Sequence, residues 1–174
     1  MLIKKGADIL AKTNNGDTIL HAAAKGNNQA LIRLCLEKGM GIDTKNKSGK
    51  TPIFSAVGSS RSDGNKKNIG QELSAFRYLA SLGADLKVKD ERSNTLLHQA
   101  VSNGDLEATA FLLAKGADVN ARGDLNKNFP IQQNGTTPLH LAVGRDLELV
   151  KLLISNGADL NAVGGFYSGT PLQK

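Results

Sequence analysis

Thr137-Pro138-Leu139-His140-Leu141-Ala142 decides how this chain is read. Threonine suits the N-cap of a helix, because its oxygen can satisfy an amide that has no partner inside the helix. Proline next to it suits the first turn, where its missing N–H would have gone unpaired anyway. The phrase recurs as Thr18-Ile-Leu-His-Ala-Ala, Thr51-Pro-Ile-Phe-Ser-Ala and Thr95-Leu-Leu-His-Gln-Ala, and in cut-short form as Thr170-Pro-Leu-Gln-Lys. A second phrase runs in step with it: Gly6-Ala7-Asp8, Gly83-Ala84-Asp85, Gly116-Ala117-Asp118 and Gly157-Ala158-Asp159, with a degenerate copy at Gly39-Met40-Gly41. Gly6 and Gly39 are 33 residues apart, as are Gly83 and Gly116, while the two other intervals are 44 and 41. The unit is therefore 33 residues, enlarged by loops in two copies.

Between each threonine phrase and the next glycine lies a second apolar stretch. These are Gln29-Ala-Leu-Ile-Arg-Leu-Cys-Leu, Glu72-Leu-Ser-Ala-Phe-Arg-Tyr-Leu, Leu106-Glu-Ala-Thr-Ala-Phe-Leu-Leu and Leu147-Glu-Leu-Val-Lys-Leu-Leu-Ile. Apolar residues return every three or four positions and each stretch stops at glycine, which predicts a second helix with a glycine C-terminal stop. The Ala-Asp-Val-Asn type of segment that follows is turn chemistry. One unit thus reads turn, helix, turn, helix, and small alanines let the helices approach closely.

At these residues the chain resembles the ankyrin repeat family, whose signature is Thr-Pro-Leu-His-x-Ala in a 33-residue unit. Residues 137–142 match it fully, and the resemblance spans essentially the whole chain. Ile19 and Leu96 stand where the signature has Pro, and Phe54 where it has His, which weakens those repeats without shifting their phase. The resemblance implies an all-α solenoid of stacked antiparallel helix pairs with hairpin-like turns. It forms a single array over 1–174, with repeats at about 7–39, 40–83, 84–116 and 117–157 and partial units at 1–6 and 158–174. Neither partial unit has the polar outer face of a capping repeat, so the expectation is a fragment of a longer array or one with much-reduced caps.

Composition narrows the function. The chain has 174 residues, 40% hydrophobic but only 4% aromatic, with a formal charge of +6. No apolar run reaches the ~18 residues of a membrane span, and the first residues show no secretory h-region. One cysteine, Cys35, excludes an internal disulfide and a cysteine-based zinc site, and points to a reducing cytosol. It lies on the second helix between leucines, near the helix end of the wrong sign for a reactive thiolate, where packing explains it better than reactivity. The three histidines, His21, His98 and His140, occupy one repeat position, so they cannot converge on one metal. In the resembled family this histidine hydrogen-bonds within and between neighbouring turns. No phosphate-binding Gly-Lys-Ser/Thr loop and no Ser–His–acid cluster stands out, and Gly164-Gly165 lacks a strand–loop–helix context. The expectation is no catalytic residue, no metal and no cofactor.

Individuality lies where the repeat arithmetic breaks. Residues 58–70 are polar, glycine-rich and basic, with Arg61, Lys66 and Lys67, and read as a surface loop or a tolerated insertion. Residues 122–134 contain Arg122-Gly123-Asp124, which looks like an integrin-adhesion tripeptide but is better explained by chance without a secretion signal. Phe129 and Ile131 in that enlarged turn, and Phe166 and Tyr167 in the next, are the concentrated apolar groups outside the helices. Stacking would set them side by side as an interface patch, or else fold them into a local core. The turn tips carry Lys12, Asn14, Lys45, Lys47, Lys87, Lys89 and Arg92. A lysine edge attracts acidic protein segments, or merely keeps the edge solvated.

The functional expectation is a monomeric, cytoplasmic, non-enzymatic scaffold that binds another protein through turn tips and a concave face. The rival is a targeting arm of a larger enzyme, channel or secreted bacterial effector acting in host-cell cytosol. A nucleic-acid binder fits less well, because arginine is sparse and aromatics are not interleaved with the charge.

Overall fold

A computed structural model describes residues 11–58, 74–123, 135–164 and 170–171. Among these described residues are eight helices: α1 (Ile19–Lys25), α2 (Gln29–Glu37), α3 (Pro52–Ala56), α4 (Ala75–Ser81), α5 (Leu96–Asn103), α6 (Leu106–Ala114), α7 (Pro138–Ala142) and α8 (Leu147–Ser155). Among the described residues there is no strand, only isolated bridges that close hairpins at Lys12–Thr18, Lys89–Thr95 and Gly123–Thr136. The fold is the all-α ankyrin-type stack of helix pairs. The chain divides into two compact units, Met1–Asp85 and Leu86–Lys174.

The recurrent glycine is explained by backbone geometry. Gly39, Gly83, Gly116 and Gly157 all take positive φ, between 79° and 91°. That left-handed residue lets the next amide reach back to a carbonyl five positions earlier, as Ala117 N–H does to Leu112 O (3.0 Å) and Ala158 N–H to Leu153 O (3.0 Å). The bond satisfies a carbonyl at the helix end, and a residue with a Cβ would be strained there. The following aspartate then closes an Asx turn: Asp118 Oδ1 accepts from Asn120 N–H (2.9 Å) and Asp159 Oδ1 from Asn161 N–H (2.8 Å).

The two helices that begin with proline are short, five residues each, and end alike. Val57 and Val143 are extended (φ −66°, ψ 123° and φ −60°, ψ 127°), and each precedes a glycine with φ near 80°. These are type II turn angles, and Arg145 N–H closes one such turn on Ala142 O (3.0 Å). The longer α1 and α5 end instead on a left-handed residue, Asn27 (φ 51°) and Gly104 (φ 65°). At Asn27 the side chain offers a compensation. Its Oδ1 accepts from Ala75 N–H at the start of α4, and Ser74 Oγ caps the same helix at Arg77 N–H. The helix start expected at Glu72 is therefore described only from Ala75, with Ser74 as its cap.

In the first unit α1 packs on α2 and α3, and α4 packs on α3 and α1; Leu20, Ile32, Cys35, Ile53 and Leu79 are wholly buried among them. In the second unit α5 packs on α6 and α7, and α8 packs on α7 and α6, around Leu96, Leu97, Leu112, Leu139, Leu149 and Leu153. Buried Ala23, Ala24, Ala56, Ala100 and Ala142 keep the first helices close to their neighbours. No helix among the described residues is long and apolar enough to cross a membrane.

Candidate functional site

Two recurring features are the places where chemistry or recognition could sit: the buried Thr–His pair at the start of α1, α5 and α7, and the exposed hairpin tip before a first helix.

The Thr–His pair is wholly occupied by backbone. Thr18 N–H donates to His21 Nδ1 (3.1 Å), with the Thr18 hydroxyl also 3.0 Å from that nitrogen. Thr95 and His98 repeat the arrangement at 3.3 and 2.8 Å, as do Thr137 and His140. A nitrogen that faces a backbone N–H must present a lone pair, so Nδ1 is unprotonated and the hydroxyl donates to it. The other nitrogen faces a carbonyl of the next hairpin: His21 Nε2 lies 3.1 Å from Lys50 O, and His98 Nε2 lies 2.9 Å from Thr136 O. It therefore carries the proton and donates. Only the neutral Nε2–H tautomer satisfies both sides. Burial lowers the His98 pKa below its ordinary value, outweighing the opposing pull of the Thr136 carbonyl and the nearby Asp90 carboxylate. These imidazoles are struts between successive repeats.

The second repeat lacks the strut. Phe54 stands at the histidine position, and Thr51 Oγ1, fully buried, meets no hydrogen-bond partner. Lys50 lies over the Phe54 ring at 5.9 Å. An orphan hydroxyl carries its desolvation penalty with no return, whereas a paired one stabilises by about 1 kcal/mol. Thr51→Val is thus expected to leave stability unchanged or raise it, while Thr137→Val loses about 1 kcal/mol in urea unfolding. Equal losses for the two variants would show that the Thr51 hydroxyl is paired after all.

Cys35 is buried in α2, and burial pushes its thiol above the ordinary value. It is held as a neutral packing group. Gly123 also has a packing reason: a Cβ there would stand 3.0 Å from Asn94 Cα and 3.1 Å from His98 Nε2. Arg122 Nη1 donates to Val163 O (2.9 Å). Two members of the adhesion-like tripeptide are thus committed to the repeat's own structure, and Asp124 lies outside the described residues.

The hairpin tips present charge. Lys12, Asn14, Lys45 and Lys47 are exposed in the first unit, and Lys87 and Lys89 in the second, while Arg92 is half-buried. The two first-unit tips are bonded side by side, Lys47 N–H to Asn15 O at 3.0 Å and Asn46 Nδ2 to Asp17 Oδ1 at 2.7 Å. The half-buried acidic groups near these tips accept hydrogen bonds: Asp17 Oδ1 from Asn46 Nδ2, and Asp43 Oδ1 from Asp85 N–H (3.1 Å). In the second unit Asp90 is likewise bound, to the Arg92 and Asn94 amides at 2.9 Å each, but exposed Glu91 sits on the tip.

Placing the hairpins in register exposes a signal that the sequence reading passed over. Lys12, Lys45, Lys89 and Arg122 are the same position in four successive repeats. A column count by repeat, rather than by local runs, would have found it. The apolar candidates Phe129, Ile131, Phe166 and Tyr167 lie outside the described residues, as do Arg61, Lys66 and Lys67.

Helix pairs stacked by a repeating Thr–His strut, with side chains displayed on short hairpins, define a repeat protein whose variable surface is its turns. The comparisons agree. The ankyrin repeat family, in three copies, matches residues 1–73 and 66–163, and this chain belongs to that family. It is 29% identical over 83% of its length to the chicken nuclear factor NF-kappa-B p105 subunit. It is 30% identical over 82% of its length to the Drosophila melanogaster NF-kappa-B inhibitor cactus, and 28% over 82% to mouse Rabankyrin-5. The chain spans only 13%, 24% and 11% of those three relatives. Repeats of this family mediate protein–protein interaction.

Proposed function

We propose that this chain is a non-enzymatic, monomeric scaffold that binds another protein, and that its first-unit hairpin tips take an acidic segment of that partner. The observation that carries the reading is the bonded pair of tips with Lys12, Lys45 and Lys47 exposed on them. Rigid hairpins present these charges without an ordering cost on binding, and opposite charge steers the approach of a partner. The relatives support a partner of protein class: cactus is by name an inhibitor of another protein. The engagement of both ring nitrogens of His21 and His98 in structural bonds supports a non-catalytic role for these imidazoles. The buried reduced thiol suits the cytoplasm, or host-cell cytosol for a bacterial effector.

A second reading rests on length. Because the chain spans 11–24% of the three relatives named above, it also suits the targeting arm of a larger enzyme, channel or effector. The two readings share the same surface and differ in what it is attached to.

The test is fluorescence anisotropy with a labelled glutamate-rich peptide. Reversing Lys12, Lys45 and Lys47 to Glu together is expected to weaken binding at least about tenfold, and reversing Lys87 and Lys89 to weaken it less, since Glu91 already offsets charge there. Unchanged affinity in the triple variant, or tighter binding to duplex DNA than to the peptide at equal salt, would defeat the proposal.

A further inference from the structure

We propose that Ser48 is a phosphoacceptor for a serine kinase that selects basic residues, and that its phosphate closes the first-unit lysine tips to acidic segments. The closure rests on the reading above, in which those tips take an acidic partner. Ser48 is exposed at the apex of the second hairpin, where Gly49 N–H closes the turn on Asn46 O (3.0 Å) and Asn46 N–H pairs with Lys50 O (2.9 Å). Its hydroxyl has no part in holding that turn. Asn46 Oδ1 does the work instead, accepting from the Ser48 and Lys50 amides at 2.9 and 3.0 Å. Thr13 holds the same repeat position 33 residues earlier, and there the hydroxyl is occupied, accepting from Asp17 N–H (3.1 Å). With an amide at that position the second tip is complete without a hydroxyl, and no hydrogen bond to Ser48 Oγ occurs among the described residues.

Charge around the serine supplies the selectivity. Lys45 and Lys47 precede it by three and one residues and Lys50 follows it by two, a pattern that an acidic substrate groove recognises, since kinases choose substrates by flanking charge. Ser93 on the second-unit tip is the contrast: it is exposed too, but Asp90 and Glu91 stand just before it. In the transfer, Ser48 Oγ attacks the γ-phosphorus of ATP and its proton passes to the carboxylate base of the kinase. The bond from that phosphorus to the bridging oxygen breaks, and ADP leaves. The product carries a charge of about −2, which offsets about two of the three positive charges of Lys12, Lys45 and Lys47. Its oxygens also accept charge-assisted hydrogen bonds from neighbouring ammonium groups, so they compete directly with the carboxylates of an incoming segment. The hairpin holds the phosphate in place, because Lys47 N–H is bonded to Asn15 O (3.0 Å) and Asn46 Nδ2 to Asp17 Oδ1 (2.7 Å).

The full chain is incubated with protein kinase C and ATP, the modified residue is located by peptide fragmentation, and both forms are titrated with the labelled glutamate-rich peptide. The expected result is phosphate on Ser48 and none on Ser93, with peptide affinity down about tenfold or more. Ser48→Ala, treated identically, is expected to keep its affinity, and Ser48→Asp to lose part of it without kinase. Absence of phosphate on Ser48 overturns the proposal, and so does equal affinity of the two forms when the unmodified chain binds the peptide; both leave the acidic-partner reading standing. A peptide that binds neither form defeats that reading and the closure with it, while phosphate found on Ser48 still supports the acceptor site.

Discussion

Leu112→Ala is expected to lower the stability of the second unit by about 2–5 kcal/mol. Leu112 is 1% exposed on α6, the helix that packs against both α5 and α8. Truncation removes buried methyl groups and leaves a void between three helices whose backbones are already pinned by cap and turn bonds. The site therefore has little freedom to collapse, which places the loss in the usual range for a well-packed leucine. Low aromatic content sharpens the effect. A core built mainly of Leu, Ile, Val and Ala in thin layers has few neighbours large enough to fill the gap. Urea unfolding followed by circular dichroism measures it, and a loss below about 1 kcal/mol would mean that α6 turns a different face inward.

His98→Ala is the second large effect, and it carries a pH signature. The substitution removes the bonds of the ring to the Thr95 hydroxyl and to the Thr136 carbonyl, which keeps only Gly123 N–H, and empties the volume of a ring that is 0% exposed. The expected loss is about 2–4 kcal/mol near neutral pH. Because burial lowers the folded His98 pKa below the ordinary value of 6.5, the native state binds fewer protons than the unfolded chain. The stabilisation is therefore fully present above the unfolded value and is lost as pH falls below it, through the folded value. Wild-type protein is expected to lose stability as pH falls from 7 towards 5, and His98→Ala to lose less over the same interval. A wild-type stability that is flat or rising on acidification, or an identical slope in the variant, would contradict a neutral buried imidazole.

What the amino-acid sequence made legible was the backbone chemistry that repeats. Threonine caps, glycine stops and Asx turns depend on one or two residues each, act locally and recur in phase, so their meaning survives without a structure. Phe54 could be marked as a departure by the same phase. Its consequence, an unpaired Thr51 hydroxyl, could not, because that depends on burial. Asn27 reads as one more polar turn residue, and only the packing of α4 shows that its amide oxygen serves a helix three elements away in the chain.

The hairpin lysines were visible as a basic bias, but residue type says nothing about where the neighbouring carboxylates point. Asp17 and Asp43 would have been counted as charges that dilute the edge. The structure engages each with an N–H donor, Asp17 with the Asn46 amide and Asp43 with the Asp85 backbone, which residue type alone does not show. Gly123 shows the converse: a tripeptide that the sequence reading set aside as chance has a packing reason in the close approach of Asn94 and the His98 ring.

The measurement that bears most directly on the scaffold reading is an amide chemical-shift map of the full chain titrated with a glutamate-rich peptide. The account predicts saturable shifts confined to the first-unit tips, residues 12–17 and 45–50, fading as salt is raised because exposed charges are screened within about 10 Å at 0.1 M. Shifts centred instead on the outer helices α2, α6 and α8, with the tips silent, would contradict it.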